Sequence, residues 1–204
     1  MSESLPRLEV RRRSGSEPFT CGGAPTDFNL LGFWQWASSD LASNVLRGVL
    51  AEYLVAQALG VASGLRDPWQ AYDLVSPGGL TIEVKSAAYL QSWWQRSHSA
   101  INFTVRETRA WSAETNALAS TAQRQAALYV FALLGHLDKP TLNPLDLDQW
   151  EFYLVPSRTL TEQVGAAKQL SLKRLLALGP DKAGFSELGA AIRRFERELL
   201  PAPT

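Results

Sequence analysis

Cysteine, histidine and long apolar runs are scarce in this sequence, and each scarcity excludes a class of protein. The single cysteine, Cys21, cannot form an internal disulfide, which is typical of a reducing compartment. The two histidines, His98 and His136, lie far apart with no neighbouring cysteine cluster, so a zinc site is not expected. No apolar run reaches membrane-spanning length, and the first residues lack the apolar stretch of a signal peptide. We therefore expect a cytoplasmic protein without a membrane partner.

The sequence also lacks a phosphate-binding loop and an excess of positive charge. No segment matches GxxxxGK[ST], so nucleotide hydrolysis is not expected. The 20 basic and 20 acidic residues balance, which argues against a non-specific polyanion binder. Their distribution is uneven, because residues 40–95 carry three basic and five acidic residues, whereas residues 96–124 carry four arginines and two glutamates. An acidic centre beside a basic margin is what a metal-dependent enzyme acting on a phosphate ester would show.

Turn-forming residues and helix formers divide the 204-residue chain into a leading arm and one domain. Residues 1–35 contain RRR, SGSEP and CGGAPTD with few periodic apolar positions, which predicts a flexible or loosely packed arm. Residues 36–204 are long enough for a single domain with a substantial core. A helix is predicted over about residues 40–59, capped at Ser39 or Asp40 and ended by Gly60.

Apolar runs predict the strands, and apolar residues at helical spacing predict two terminal helices. The predicted strands are AYDLV and LTIEVKSA, joined as a hairpin across SPGG, followed by INFTV (101–105), the central strand ALYVFALL, and WEFYLV (150–155). The predicted terminal helices are SLKRLLALG and SELGAAIRRFERELL. This order of elements predicts a mixed β-sheet flanked by α-helices, in an α/β or α+β domain.

The predicted hairpin brings three charged residues to one place. If Pro-Gly-Gly forms a three-residue turn, Asp73 falls directly opposite Glu83. Side chains alternate along a strand, so Glu83 and Lys85 share one face of LTIEVKSA. Two adjacent carboxylates repel each other unless a cation lies between them. A hard divalent cation such as Mg²⁺ takes oxygen ligands, and a nearby ammonium can orient an attacking water.

A fourth charged residue, Glu52, lies on the predicted first helix. Its neighbours one turn away are small or apolar, namely Gly48, Val49, Val55 and Ala56. A glutamate on such a stripe needs a partner, because burying an unpaired carboxylate is costly. The partner could be a metal or the lysine of the hairpin, and Gly48 would let the helix lie close to the sheet. The alternative is a surface hairpin that faces water, with Glu52 bound to a core arginine such as Arg47 or Arg124.

The succession of a helical glutamate, YDLV and then IEVKSA resembles the PD-(D/E)XK nuclease superfamily. The resemblance implies a restriction-endonuclease-like fold and hydrolysis of phosphodiester bonds in DNA, by an endonuclease of restriction or repair type. It implies that Asp73 and Glu83 bind Mg²⁺ or Mn²⁺ and that Lys85 positions the attacking water. Glu52 would be an accessory carboxylate that ligates the metal or orients the lysine. Tyr72 stands where the family pattern has a proline, which is the loosest element of that pattern.

Polar residues after the hairpin are candidates for substrate binding. Ser86 and Gln91 could contact a phosphate or the metal-bound water, although a polar residue at a strand end is the simpler interpretation. Two adjacent tryptophans, with Arg96 and His98 beyond them, could stack on bases and contact phosphates. Such tryptophans are as often one core anchor and one partly exposed ring.

Two rival functions use the same residues differently. A catalytically inactive nuclease-fold module could bind nucleic acid or a protein partner, and an unrelated α/β interaction domain could carry a surface hairpin. The small size of the chain favours a stand-alone endonuclease or one that works as a homodimer.

Overall fold

The structure is a computed structural model that describes residues 5, 7–112 and 115–200. Within these residues the chain forms strands and helices around one central sheet. The strands are β1 (Pro18–Cys21), β2 (Ala24–Asn29), β3 (Leu74–Val75), β4 (Thr81–Ala88), β5 (Asn102–Thr104), β6 (Trp111–Ser112), β7 (Ala117–Leu118), β8 (Leu128–Leu134), β9 (Trp150–Pro156), β10 (Gln169–Ser171) and β11 (Asp181–Ala183). The α-helices are α1 (Leu30–Ser38), α2 (Asn44–Leu59), α3 (Ser157–Gln163), α4 (Leu172–Ala177) and α5 (Phe185–Leu199), and short 3₁₀ turns occupy Lys139–Thr141 and Leu147–Gln149.

The central sheet is mixed and has five strands in the order β11-β9-β8-β4-β3. Strands β4 and β8 run parallel, while the other neighbouring pairs are antiparallel. All seven residues of β8 are buried, which explains why its sequence is continuously apolar. The predicted central strand and the predicted mixed sheet with flanking helices are therefore confirmed.

Two hydrophobic clusters cover the two faces of this sheet. Helices α2 and α5 pack on one face against Ile82, Val84 and the alternate residues of β8. On the other face, Phe103 of β5 packs against Phe131 of β8, together with residues of β10, α3 and α4. The predicted strand INFTV exists as β5, but it pairs with β10 and does not join the central sheet. Its alternation of buried and exposed residues is compatible with a strand inside or outside the central sheet, so the sequence could not distinguish these two locations.

Helix α2 carries one wall of the candidate site. It begins at Asn44 with Ser43 as its N-cap, three or four residues after the predicted cap at Asp40 or Ser39. The reason is local, because an Asp40 carboxylate oxygen and backbone carbonyl accept hydrogen bonds from the Ser43 backbone N–H in a turn before the helix. Gly60 ends the helix in the left-handed conformation, as predicted.

The close approach of α2 to its surroundings depends on a different glycine from the one predicted. A Cβ at Gly48 would meet no atom within 4 Å, so this residue does not permit close packing on the sheet. A Cβ at Gly189 in α5 would lie 2.2 Å from the Ala58 carbonyl oxygen. Helices α2 and α5 therefore cross closely at Gly189, and this contact fixes the position of α2.

The segment before α2 contains regular structure, although its sequence predicts a flexible or loosely packed arm. Strands β1 and β2 form an antiparallel hairpin, and α1 follows directly with Asn29 as its N-cap. No residue of α1 is buried, although the helix is rich in aromatic side chains. Loose packing explains why the pattern of apolar residues carries no helical signal here. The division of the chain at residue 35 stays a prediction.

None of the helices in the described residues is both long enough and apolar enough to cross a membrane.

Candidate functional site

The turn between β3 and β4 sets the register of the hairpin. The Ser76 carbonyl oxygen accepts a 2.9 Å hydrogen bond from the Gly79 N–H, and Gly79 adopts a φ of 97°, which favours glycine. The Ser76 N–H donates to the Leu80 carbonyl at 2.9 Å, so Pro-Gly-Gly is a three-residue turn as predicted. In the same register Leu74 pairs with Ile82, which places Asp73 opposite Glu83.

Asp73 is held against β4 by two hydrogen bonds. Its backbone N–H donates to the Ile82 carbonyl at 3.0 Å, and its Oδ2 accepts from the Val84 N–H at 2.7 Å. The second bond continues the hairpin ladder through a side chain instead of the backbone. The carboxylate is thereby fixed beside Glu83 and does not extend into solvent.

Glu83 and Lys85 form an ion pair on one face of β4. The Lys85 Nζ lies 2.5 Å from the Glu83 Oε1, and both side chains are largely buried. Glu83 is paired in the parallel ladder with Tyr129 of β8. Burial raises the pKa of Tyr129, and the negative charge of Glu83 raises it further, so the phenol stays protonated beside the carboxylate.

Glu52 approaches from the helix layer on the opposite face of the sheet. Its side chain is 12% exposed, which confirms that it points inward from α2. The guanidinium of Arg66 binds it through two donors, with the Nη2 at 2.8 Å from Oε1. These hydrogen bonds raise the pKa of Arg66. The partner of Glu52 is thus Arg66 and neither of the predicted arginines, Arg47 and Arg124, because the loop after α2 folds back over the helix.

Asp73 lies between the two glutamates, and its protonation reflects this position. Burial raises the pKa of Asp73 to about 6, and the negative charges of Glu83 and Glu52 contribute to the increase. The Val84 hydrogen bond and the charge of Lys85 oppose it. The carboxylate of Asp73 therefore lacks sufficient compensating positive charge, whereas Glu52 and Glu83 each have a cation of their own.

Three adjoining cavities connect these side chains. The first, of about 270 Å³, is lined by Glu52, Asp73, Arg12 and Arg66 among others. The second, of about 360 Å³, is lined by Asp73 and Glu83 together with Arg109 and the Trp69–Trp111 ring pair. The third, of about 140 Å³, is lined by Glu83 and Lys85 together with Arg106, Gln125 and Tyr129. Asp73 lines the first and second cavities and Glu83 the second and third, so the three cavities adjoin at the carboxylates and are together called the groove.

The donor set of the groove suits a hard divalent cation, but its side chains are turned toward other partners. Among residues 5, 7–112 and 115–200, no three His, Cys, Asp or Glu side chains stand close enough to hold a metal ion. Glu52 is bound to Arg66 and Glu83 to Lys85, which accounts for the separation. The oxygen ligands and the uncompensated carboxylate of Asp73 fit Mg²⁺ or Mn²⁺ chemically. Binding would require the glutamates to leave their cations.

Two of the predicted substrate-binding residues, Ser86 and Gln91, lie away from the groove. Ser86 follows Lys85 in β4, and its side chain therefore points to the opposite face of the sheet, toward α2. Gln91 is 5% exposed. Its Oε1 accepts from the Arg47 Nη1 at 3.1 Å, and its Nε2 donates to the Ala88 carbonyl at 3.2 Å. Gln91 thus satisfies a buried arginine, and the structure does not bring it to the carboxylates.

Arg96 and His98 are exposed in the segment that follows β4. The His98 Nε2 lies 3.0 Å from the Leu137 carbonyl oxygen, which can only accept a hydrogen bond, so Nε2 carries the proton. Leu137 lies beyond the end of β8, whereas Glu83 pairs with Tyr129 near its start. The His98 ring also lies edge-on to Tyr89, one residue beyond the end of β4, with 6.2 Å between the ring centroids, and it lines none of the three cavities. The structure therefore does not bring His98 to the carboxylates.

Sequence reasoning missed several residues that the fold brings to the groove. The missed residues are Arg12, Arg66, Trp69 and Trp111, whereas the sequence left open whether Arg106 and Arg109 line a DNA cleft. They come from loops and short strands without periodic patterns, so no local signal marked them. The excess of arginine over residues 96–124 was the one indication available, because it contains Arg106 and Arg109.

A family model supports a nuclease. The model for bacteriophage T4 endonuclease IV matches residues 29–166, which is more than half of the chain. The matched range contains Glu52, Asp73, Glu83 and Lys85, together with the whole of the groove except Arg12. Comparison with curated proteins gives no match. On the extent of the family match, the chain belongs to the bacteriophage T4 endonuclease IV family.

Proposed function

We propose that the protein is a metal-dependent DNA endonuclease of the PD-(D/E)XK type with a restriction-endonuclease-like fold. The observation that carries this proposal is the position of Asp73, opposite Glu83 and beside Lys85, in a chain of an endonuclease family. The mixed sheet, with a helix on one face supplying Glu52, is consistent with the same assignment. A restriction or repair role, and a cytoplasmic location, remain part of the proposal.

Asp73 and Glu83 would hold Mg²⁺ or Mn²⁺, with Glu52 as an accessory ligand directly or through water. The cation would supply Lewis-acid stabilisation of the phosphate and a more acidic water. Asp73 is suited to this role because it is fixed by the Val84 N–H and lacks a cation of its own. A rigid carboxylate with uncompensated charge favours cation binding more strongly than one that is already paired.

Lys85 would orient the attacking water and stabilise charge on the phosphate. Its ammonium lies next to Glu83, so Lys85 would be free to face the substrate if the Glu83 carboxylate held the cation. Arg66 would in the same way release Glu52 or keep it in place while a water bridges to the cation. Binding of the metal would therefore accompany the separation of Lys85 from Glu83 and of Arg66 from Glu52.

All four proposed residues come from one chain. The homodimer considered from the sequence stays a prediction. The substrate is proposed to be DNA because the family name is that of an endonuclease and because Arg106 and Arg109, which have no ion-pair partner in the described part of the chain, line the groove next to the carboxylates.

The observed ion pairs favour a second candidate function. In the described residues Glu52 and Glu83 are already neutralised by Arg66 and Lys85, as in a protein that needs no metal. A nuclease-fold module that binds DNA without cutting it would have this arrangement. Activity measurements separate the two functions directly.

Incubation of the purified protein with plasmid and oligonucleotides, in Mg²⁺, in Mn²⁺ and in EDTA, tests the proposal. We expect cleavage in the presence of either metal and none in EDTA, and the variants Asp73→Ala and Lys85→Ala should be inactive. Unchanged cleavage by both variants would refute the site. Absence of cleavage under all conditions, with DNA binding retained, would favour the non-catalytic module.

A further inference from the structure

Two exposed arginines, Arg106 and Arg109, lie beside the carboxylates without a carboxylate partner of their own. Arg106 lines the cavity that contains Glu83 and Lys85, and Arg109 lines the cavity that contains Asp73 and Glu83. Within residues 5, 7–112 and 115–200, neither arginine forms an ion pair or a side-chain hydrogen bond. Unpaired guanidinium groups next to an acidic centre are suited to bind an anion that the acidic centre alone would repel.

The backbone that carries both arginines is held in place. Val105 is buried, and its N–H donates to the Lys168 carbonyl at 3.0 Å, just before Arg106. Thr108 and Gln123 form a β-bridge with two 3.0 Å hydrogen bonds, just before Arg109. The side chains therefore extend from anchored positions, and less conformational entropy is lost when they bind a ligand than on a free loop.

The nearest acidic residue of this segment does not neutralise either arginine. The Glu107 Oε1 accepts from the Arg124 Nη1 at 3.4 Å, so its carboxylate points toward a buried guanidinium. Phe103 and Val105 are buried while Thr104 and Arg106 are exposed, so Arg106 lies on the groove side of an alternating segment. The alternation also directs Glu107 away from Arg106. Positive charge thus remains along one side of the groove.

We propose that Arg106 and Arg109 bind two phosphates of the DNA backbone on the Lys85 side of the groove, and that this contact places the scissile phosphate at Asp73 and Glu83. This inference rests on the proposed function. The two arginines are positioning residues: they contact neighbouring phosphates and not the reacting atoms. Two separate phosphates are proposed because the two arginines line different cavities. Arg109 lines the second cavity and Arg106 the third, and Glu83 lines both.

Binding measured without cleavage separates this inference from the proposed function. Fluorescence anisotropy of a labelled oligonucleotide in EDTA, at salt concentrations between about 50 and 200 mM, gives the dependence of affinity on salt. Each phosphate contact contributes about 0.7 to 0.9 to the slope of log K against log salt. Arg106→Ala and Arg109→Ala should each lower the slope by about one, and the double variant by about two. Arg158→Ala, an exposed arginine on α3, is the matched control and should leave the slope unchanged.

A conservative variant and a kinetic measurement distinguish positioning from folding. Arg106→Lys keeps the charge and should restore the slope, and all variants should keep the thermal unfolding temperature of the wild type. In Mg²⁺, Arg106→Ala and Arg109→Ala should raise KM about 10-fold or more with a smaller change in kcat. An equal loss in Arg106→Lys and Arg106→Ala would contradict a charge contact with phosphate.

Other outcomes overturn the inference in distinguishable ways. If Arg12→Ala lowers the slope and the two groove arginines do not, the backbone runs over the Glu52 cavity instead. If the arginine variants bind and cleave like the wild type, the contact is absent while the nuclease assignment stands. If binding responds as expected but no metal supports cleavage, the contact stands and the nuclease assignment fails. Failure of the wild type to bind DNA would refute both.

Discussion

Two carboxylate–ammonium pairs on the central sheet differ in their surroundings. Glu83 and Lys85 lie at the β3–β4 side of the sheet, with Nζ to Oε1 at 2.5 Å, and Glu151 and Lys182 lie on β9 and β11 with the same atoms at 2.9 Å. Beside Glu83 stands another carboxylate, Asp73, whose burial and acidic neighbours raise its pKa to about 6. Beside Glu151 stands Tyr153, whose hydroxyl donates to the carboxylate at 2.5 Å.

The pKa shifts of Asp73 and Glu151 have opposite directions. Burial alone would raise the pKa of Glu151, but hydrogen bonds from Tyr153 and Lys182 hold it below its usual value. The Glu151 carboxylate is therefore fully compensated by Tyr153 and Lys182, and the pair stabilises the fold. The Glu83 pair is adjacent to the uncompensated carboxylate of Asp73, which lowers the stability of the folded state and favours the binding of a cation. The ion pair alone therefore does not mark a functional site. What distinguishes the Glu83–Lys85 pair from the Glu151–Lys182 pair is the neighbouring carboxylate of Asp73.

The largest expected difference between the pairs is in the cleavage rate. Glu83→Gln should lower kcat by about 10²- to 10³-fold, because the proposed metal site would lose a ligand and the charge stabilisation that depends on it. Glu151→Gln, the matched change in the other pair, should leave kcat within about twofold. DNA cleavage in Mg²⁺ under single-turnover conditions measures both. Equal losses in the two variants would show that the effect is structural.

Substitution of the two lysines should change kcat by amounts that differ nearly as much. Lys85→Ala should lower kcat about 10²-fold because the attacking water loses its orienting cation. Lys182→Ala should not change kcat, although its cation also contacts the Tyr153 ring at 5.6 Å to the centroid. The pH profile of the remaining activity adds a check, since only the Lys85 variant should change its shape. An unchanged profile and rate in Lys85→Ala would contradict the assigned role.

The pH dependence of stability should separate Asp73 from Glu151 by sign. The folded-state pKa of Asp73 is raised from 3.8 to about 6, so its ionisation destabilises the folded state, and this loss develops as the pH rises from about 4 to 6. Asp73→Asn should therefore be more stable than the wild type at about pH 8, by up to about 3 kcal/mol, and no more stable below about pH 4. Glu151→Gln should be less stable than the wild type at about pH 8, because the folded-state pKa of Glu151 is lowered. Urea unfolding in EDTA across this pH range measures the difference, and Asp73→Asn less stable than wild type at pH 8 would contradict the crowding of carboxylates.

The smallest expected effect concerns the accessory carboxylate. Glu52→Gln should lower kcat about 10-fold, because the proposed role of Glu52 is that of an accessory carboxylate and not of a principal ligand. Arg66→Ala should change kcat by less than Glu83→Gln does, since it frees Glu52 from its present partner. Cleavage rates over a range of Mg²⁺ concentrations measure both. A loss in Glu52→Gln as large as in Glu83→Gln would make Glu52 a principal ligand.

The hairpin and the core could be predicted from the sequence because the patterns that encode them lie within short segments. The Pro-Gly-Gly turn follows from the backbone preferences of these residues, and alternation along β4 then places Glu83 and Lys85 on one face. The continuous apolar run of β8 and the helical spacing in α5 are equally local. Each prediction required only a few neighbouring residues.

The remaining features depend on contacts between distant segments. Arg66 reaches Glu52 because the loop after α2 folds back, and Arg106 and Arg109 reach the groove through a β-bridge to residue 123. Gln91 was a plausible substrate contact in the sequence, but its location next to buried Arg47 depends on the approach of α2 to the end of β4. No pattern within a short window of sequence encodes such contacts.

The central claim is that Asp73 and Glu83 bind a divalent cation, and Mn²⁺ binding followed by electron paramagnetic resonance tests it without any DNA. We predict one site in the wild type that is lost in Asp73→Asn and in Glu83→Gln and is retained in Glu151→Gln. Binding of Mn²⁺ by Asp73→Asn with the affinity of the wild type would contradict the account.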